Sequence, residues 1–189
     1  MRKVDIVIVL AVVALGAAAW QQKPVPVKAP TAAPTHACTP DAMTTSSGRW
    51  TVLPARYQLA GLSIGMSETE IVARLGQPAD KNVQNSESST WTYASDGAEL
   101  HLAMLEGRLI MIGGTGRWAL TEGDRSLPGF QSSQAQIEAT FGQPDRRDAP
   151  PTAWVYTRRP GELTFHFDQG RVSQVVVTGE IAPQKLAPR

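Results

Sequence analysis

Residues 74–80 read RLGQPAD, and residues 140–146 read TFGQPDR. In both places Gly-Gln-Pro follows an apolar residue, at a spacing of 66, so the chain spells the same helix ending twice. Glycine supplies a left-handed cap without a Cβ penalty, and a proline two residues later blocks continuation. Upstream, Ser67 stands three positions before Glu70, and Ser133 three before Gln136. That is the capping box, which satisfies backbone donors at a helix start. Between start and stop, Ile71 and Leu75, or Ile137 and Phe141, fall at i and i+4 on one face. Glu70 and Arg74 add an i,i+4 ion pair to the first helix.

The correspondence extends outward from these two stops. GRW at 48–50 returns at 116–118, and LAGL at 59–62 returns as LPGF at 127–130. Downstream, WTY at 91–93 matches WVY at 154–156, Glu99-Leu100 matches Glu162-Leu163, and Gly107-Arg108 matches Gly170-Arg171, the offset now being 63. The small losses fall where loops belong, as a duplication requires. After each stop the apolar period becomes two. Trp91 and Tyr93, then Leu100, Leu102 and Met104, are echoed by Trp154 and Tyr156, then Leu163, Phe165 and Phe167. Asp96-Gly97, Glu106-Gly107, Pro160-Gly161 and Gln169-Gly170 mark the turns, and RLIMI and RVSQVVV read as third strands. The expected fold is α+β: a tandem duplication of a short helix plus a three-stranded antiparallel meander, with the helices on one face of the sheet. Antiparallel sheets tolerate one wet face, so the opposite face is expected to be open.

The start of the chain is of another kind. Arg2 and Lys3 precede an apolar run of fifteen residues from Ile6 to Trp20. As a helix it would rise about 22 Å against a hydrocarbon core of roughly 30 Å. Two readings follow: an uncleaved N-terminal membrane anchor, and a cleaved signal peptide with Ala17 and Ala19 in the small–x–small pattern. Both leave the basic end in the cytoplasm and export the rest. Residues 21–47, rich in Pro, Ala and Thr, form an extended spacer without a core. The organisation is thus a leader at 1–20, the spacer at 21–47, repeats at 48–115 and 116–182, and a tail at 183–189.

Charge and cysteine content narrow the function classes. The chain holds 18 Lys and Arg against 17 Asp and Glu, and 16 of each once Arg2, Lys3 and Asp5 are set aside. A balanced surface lacks the concentrated cations that phosphate binding needs, so no nucleic-acid partner is expected. The single cysteine, Cys38, excludes an intramolecular disulfide and a cysteine-rich metal site. THAC lacks the aliphatic residue of a lipidation signal, so Cys38 reads as a plain thiol in the spacer.

The run GMSETEIVARLGQP at 65–78, followed by W-x-Y, a turn, E-L-x-L and G-R, resembles the SmpA/OmlA family of small envelope proteins. BamE of the outer-membrane β-barrel assembly machinery belongs to that family. Two such units in series are similar in plan to the β-lactamase inhibitory protein, whose helix-plus-sheet units bind an enzyme on an open sheet. The resemblance covers residues 48–180 and implies a fold and an envelope compartment. In the second copy Gln131-Ser132-Ser133 stands in place of Gly65-Met66-Ser67.

No catalytic constellation, cofactor motif or metal-ligand set emerges from the sequence. His36 lies in the spacer, while His101 and His166 alternate with inward apolar residues and so fall on the open face. Glu99 and Glu162 are equivalent and outward too. A carboxylate pair could serve glycosidic chemistry, although exposed strand glutamates are far commoner. GGTG at 113–116 lacks the Lys-Ser/Thr of a phosphate loop and reads as a flexible connection between repeats. Trp50, Trp91, Trp118 and Trp154 recur with the repeat, which suits core anchors. Arg146-Arg147 and Arg158-Arg159 are placed on loops. The expected function is a non-enzymatic protein-binding or scaffolding module of the bacterial envelope, meeting an envelope protein through Glu99, His101, Glu162, Thr164 and His166. Its expected membrane attachment is the N-terminal segment, and the resemblance implies a role in envelope or outer-membrane protein assembly. The alternative is an inhibitor of a secreted or periplasmic hydrolase such as a β-lactamase. A hydrolase using Glu99, Glu162 or a histidine ranks third.

Overall fold

The computed structural model describes residues 50–148 and 152–183. The leader, the spacer with His36 and Cys38, Gly48-Arg49 and residues 184–189 lie outside them. Helix α1 is Glu68–Leu75 and helix α2 is Gln134–Phe141. The Ser67 amide donates to the Glu70 carboxylate at 2.8 Å, and the Glu70 amide donates to the Ser67 hydroxyl at 3.3 Å. Ser133 and Gln136 exchange the same two bonds at the same distances.

The helix stops differ from the left-handed cap expected of glycine. Gly76 and Gly142 adopt φ of 79° and 80° with ψ of −164° and −163°, a region that is essentially glycine's alone. In that conformation each carbonyl accepts a hydrogen bond at 3.1 Å, from the Tyr93 hydroxyl and the Tyr156 hydroxyl respectively. The Gly-Gln-Pro stop and the W-x-Y strand therefore recur together because one pins the other. Gly142→Ala is expected to cost roughly 1–3 kcal/mol through backbone strain alone. A Cβ built there meets nothing within 4 Å, so an unchanged denaturation midpoint would refute the strain argument.

Eight strands form one antiparallel sheet. Three further short elements precede α1: β1 (Trp50–Leu53), β2 (Gln58–Leu59) and β3 (Leu62–Ser63). The first half of the large sheet is β4 (Asp80–Val83), β5 (Ser88–Ser95), β6 (Ala98–Leu105) and β7 (Arg108–Thr115). Then come β8 (Leu120–Glu122) and β9 (Arg125–Leu127). The second half is β10 (Arg146–Asp148), β11 (Ala153–Thr157), β12 (Glu162–Asp168) and β13 (Arg171–Thr178), and β14 (Glu180–Pro183) ends the described chain. The order across the large sheet is β10-β11-β12-β13-β7-β6-β5-β4, so the halves join at a seam between β13 and β7.

One face of this sheet carries the core. Trp91, Tyr93, Leu100, Leu102, Tyr156, Leu163 and Phe165 pack there with Ile71 and Ile137 of the helices. A small sheet ordered β3-β2-β8-β9 contributes Leu59, Leu62, Leu120 and Leu127 to the same core. Of the two glycines of β7, Gly114 is the one that packing demands. A Cβ there would lie 3.1 Å from both Leu59 Cδ2 and Trp118 Cδ1, so the missing side chain lets the small sheet descend onto the seam. Residues 113–115 are thus a central strand, not a flexible connection.

The α+β expectation is corrected. Among the described residues 54% lie in strands and 12% in helices, so the protein is mostly β. Each half of the large sheet has four strands instead of a three-stranded meander, and β1 pairs with β14 while β2, β3, β8 and β9 build a sheet of their own. The physical reason is that β4 and β10 are exposed edge strands that need no apolar alternation, and two- or three-residue strands carry too few residues to show a period.

Candidate functional site

The face turned away from the helices is ordered in cross-strand rows. The middle row begins on β10 with Arg146 and continues through Val155, Thr164 and Val176. It crosses the seam to Gly113 and proceeds through His101 and Thr92 to Asp80 on β4. A second row holds Glu99, Thr115, Gln174, His166, Ala153 and Asp148. The third holds Glu162, Thr178, Met111, Ala103 and Thr90. All five residues singled out from the sequence, Glu99, His101, Glu162, Thr164 and His166, therefore share this face.

The rows obey a local dyad. Gly113 opposes Val176 at the seam, and these positions correspond at the offset of 63. A half-turn about that pair exchanges His101 with Thr164 and the Glu99 row with the Glu162 row. Glu99 and Glu162 are thus mates across the seam, three strand spacings and four residues apart, or roughly 20 Å. Paired glycosidase carboxyl groups stand about 5–9.5 Å apart, so these two cannot act on one bond.

His101 is the centre of the only hydrogen-bonded side-chain chain joining these residues that the described region shows. Thr92 Oγ1 lies 3.4 Å from His101 Nδ1, and His101 Nε2 lies 3.3 Å from Glu99 Oε2. The order hydroxyl, imidazole, carboxylate matches a nucleophile relay, but Glu99 and His101 are exposed, and none of the three lines the surface groove beside the small sheet. That groove, about 580 Å³, runs instead along Asp96, Trp118, Leu127 and Phe130. His166 is half-buried opposite Gln174, with Asp148 two strands away in the same row. Burial pushes its pKa down, against a smaller upward pull from the Asp148 carboxylate.

A pH dependence follows. Above about pH 6.5 the ring is neutral in both the folded and unfolded states. As pH falls, the unfolded chain takes the proton first, so stability declines until pH has passed the lowered folded value. His166→Gln is expected to flatten that acid limb in thermal unfolding followed from about pH 7.5 to 5. An unaltered limb would rule out His166 as its source.

Other sequence candidates lie elsewhere. Trp91 and Trp154 are 2% and 5% exposed, on the core side, each capped by a cation: Lys81 at 4.5 Å and Arg147 at 4.8 Å from the ring centroid. Trp50 lies in the ribbon of β1 with β14, and the Trp118 indole donates to the Glu99 carbonyl at 3.0 Å. Arg146 and Arg147 belong to β10, not to a loop, and Arg158 is tied to Asp145 and to the Phe141 carbonyl. The sequence reading missed Lys81 and Arg147 as a pair, although they match at the same offset as the Gly-Gln-Pro stops. It also missed Thr92, Asp80 and Asp148 on the open face, because β4, β10 and the polar positions of β5 carry no apolar signal.

No protein-family model matches the chain, and no curated protein matches it, so the SmpA/OmlA resemblance gains no support there. Among solved structures, the chain is similar to an extracellular protein containing an SCP domain from Bacillus anthracis, with TM-score 0.47, 10% identity, 66% of this chain and 50% of that one covered. A cysteine-rich secretory protein from Staphylococcus aureus gives TM-score 0.46, 9% identity and coverage of 61% and 44%. A candidate β-lactamase inhibitor protein from Streptococcus mutans gives TM-score 0.28, 14% identity and coverage of 65% and 85%. The chain spans half or less of the length of the first two. Among the described residues no helix is long and apolar enough to cross a membrane, and the run from Ile6 to Trp20 lies outside them.

Proposed function

We propose that this chain is a non-enzymatic protein-binding module of the bacterial cell envelope. Its contact surface is the open face of the eight-stranded sheet, held on the exported side by the N-terminal segment. One observation carries the reading: Glu99 and His101 are exposed, and Thr92, Thr115, Thr164, Val176, His166 and Gln174 are half-exposed, on a single continuous surface. Ala153 and Val155 of β11 are buried on this side, so the accessible platform runs from β12 to β4, five strand spacings by three rows, roughly 24 by 20 Å or about 480 Å². That is the scale of a small, transient protein contact, since one partner in a standard interface contributes roughly 800 Å². Short side chains on most of its positions suit a flat protein contact better than a small-molecule cleft.

The test places a photo-crosslinking residue at Thr164 or Ala103 on the open face, and at Arg74 or Thr140 on the helices, in intact cells. A discrete envelope protein should be captured from the first pair and not the second. Equal capture from both faces, or none from either, would sink the proposal. Capture of a secreted or periplasmic hydrolase whose activity falls on binding would instead identify the module as an inhibitor.

A further inference from the structure

We infer that the partner of the open face presents a cationic, Lys- or Arg-rich segment, seated against carboxylates that make no ion pair with Lys or Arg among the described residues. The inference rests on the protein-binding reading and specifies the chemistry of its partner. On the helix side, carboxylates have cations at hand: Glu68 meets Lys81 at 3.0 Å, Asp145 meets Arg158 at 3.2 Å, and Glu70, bonded to Ser67, lies in the field of Arg108 and Arg74. The open face is different. Asp80 and Glu162 make no ion pair among the described residues, and Glu99 meets only the imidazole of His101. The one guanidinium in the three rows, Arg146, is already engaged by Asp148 at 3.1 Å.

This pattern sits within a wider asymmetry. Residues 50–183 contain 11 Lys and Arg against 15 Asp and Glu, a net charge of −4, whereas the whole chain, with 18 against 17, is +1. Residues 50–183 are therefore acidic even though the complete sequence looks neutral. The dyad separates Glu99 and Glu162 by roughly 20 Å, with Asp80 at the β4 edge, so the negative charge is spread across the platform. An extended basic segment or a broad basic surface meets such spacing; a single small cation does not. Complementary charge of this kind raises the association rate and fixes orientation.

The experiment uses the full chain in detergent and two fluorescent twelve-residue probes, one of alternating Lys and Ala, one of alternating Glu and Ala. The Lys probe should bind and the Glu probe should not. Glu99→Lys with Glu162→Lys should weaken Lys-probe binding by about tenfold. Asp124→Lys, a reversal at the exposed turn between β8 and β9, should change it by less than about twofold. Thermal unfolding verifies that each variant is folded; Glu99→Gln with Glu162→Gln serves if the reversal is not. Absence of Lys-probe binding, preference for the Glu probe, or equal weakening by Asp124→Lys would overturn the inference. Crosslinks from Thr164 that land on an acidic or uncharged segment of a captured protein would also overturn it, while leaving the protein-binding reading intact. Failure to capture anything would strike that reading itself.

Discussion

Phe165→Ala is expected to lower the stability of the folded region by about 3–5 kcal/mol, the range for deleting a buried aromatic ring. Phe165 is fully buried on β12, with its ring 5.2 Å from Phe141 at the end of α2 and 5.9 Å from Tyr156 on β11. Tyr57, preceding the small sheet, stacks edge-on against Phe141 at 6.0 Å. Phe165 thus ties the large sheet to Phe141 of the helix, which in turn meets the segment that leads into the small sheet, and truncation of Phe165 opens a cavity at that junction. Domains of this size have about 5–15 kcal/mol in total, so the variant should stand near its unfolding threshold. Chemical denaturation measures this directly. A loss below about 1 kcal/mol would mean that the aromatic cluster is not the centre of the core.

The second large effect concerns the helices. Each buries a single residue fully, Ile71 in α1 and Ile137 in α2, while Val72, Leu75 and Phe141 pack only in part. An eight-residue helix has too few turns to be stable by propensity alone, so its docking depends on that contact. Ile71→Ala and Ile137→Ala should each cost about 2–5 kcal/mol. Hydrogen exchange adds a sharper readout: amides of the altered helix should lose protection, and the seam strands β7 and β13 should keep more of theirs. Uniform loss of protection over the whole sheet would show that the helices are not separately dispensable.

What could be seen in the sequence follows from the range over which each interaction acts. The helix starts were legible because Ser67 with Glu70, and Ser133 with Gln136, solve a donor problem within four residues. The stops were legible as glycine positions, yet their conformation was not, because it is fixed by Tyr93 and Tyr156 reaching back from a strand. Strict alternation in β6 and β12 was enough to assign Glu99, His101, Glu162, Thr164 and His166 to one side. The edge strands were invisible: all residues of β4 and β10 are exposed, so nothing apolar marks them. β7 was misread at its end because glycine disfavours strands, and only the approach of Leu59 and Trp118 explains its use there. The α+β class failed for the same reason, since six short strands and two edge strands escaped the pattern and shifted the balance to β.

The ribbon formed by Trp50–Leu53 and Glu180–Pro183 has a consequence for connectivity. Trp50 stands opposite Pro183, so the first and last described residues are neighbours, roughly 5 Å apart at the Cα atoms. A short peptide could bridge them, and the chain could be reopened at the exposed Gly123-Asp124 turn without breaking a strand. The covalent order of the two halves is then a historical accident of where the backbone was cut, and a circular permutant beginning at Asp124 should reach the same architecture.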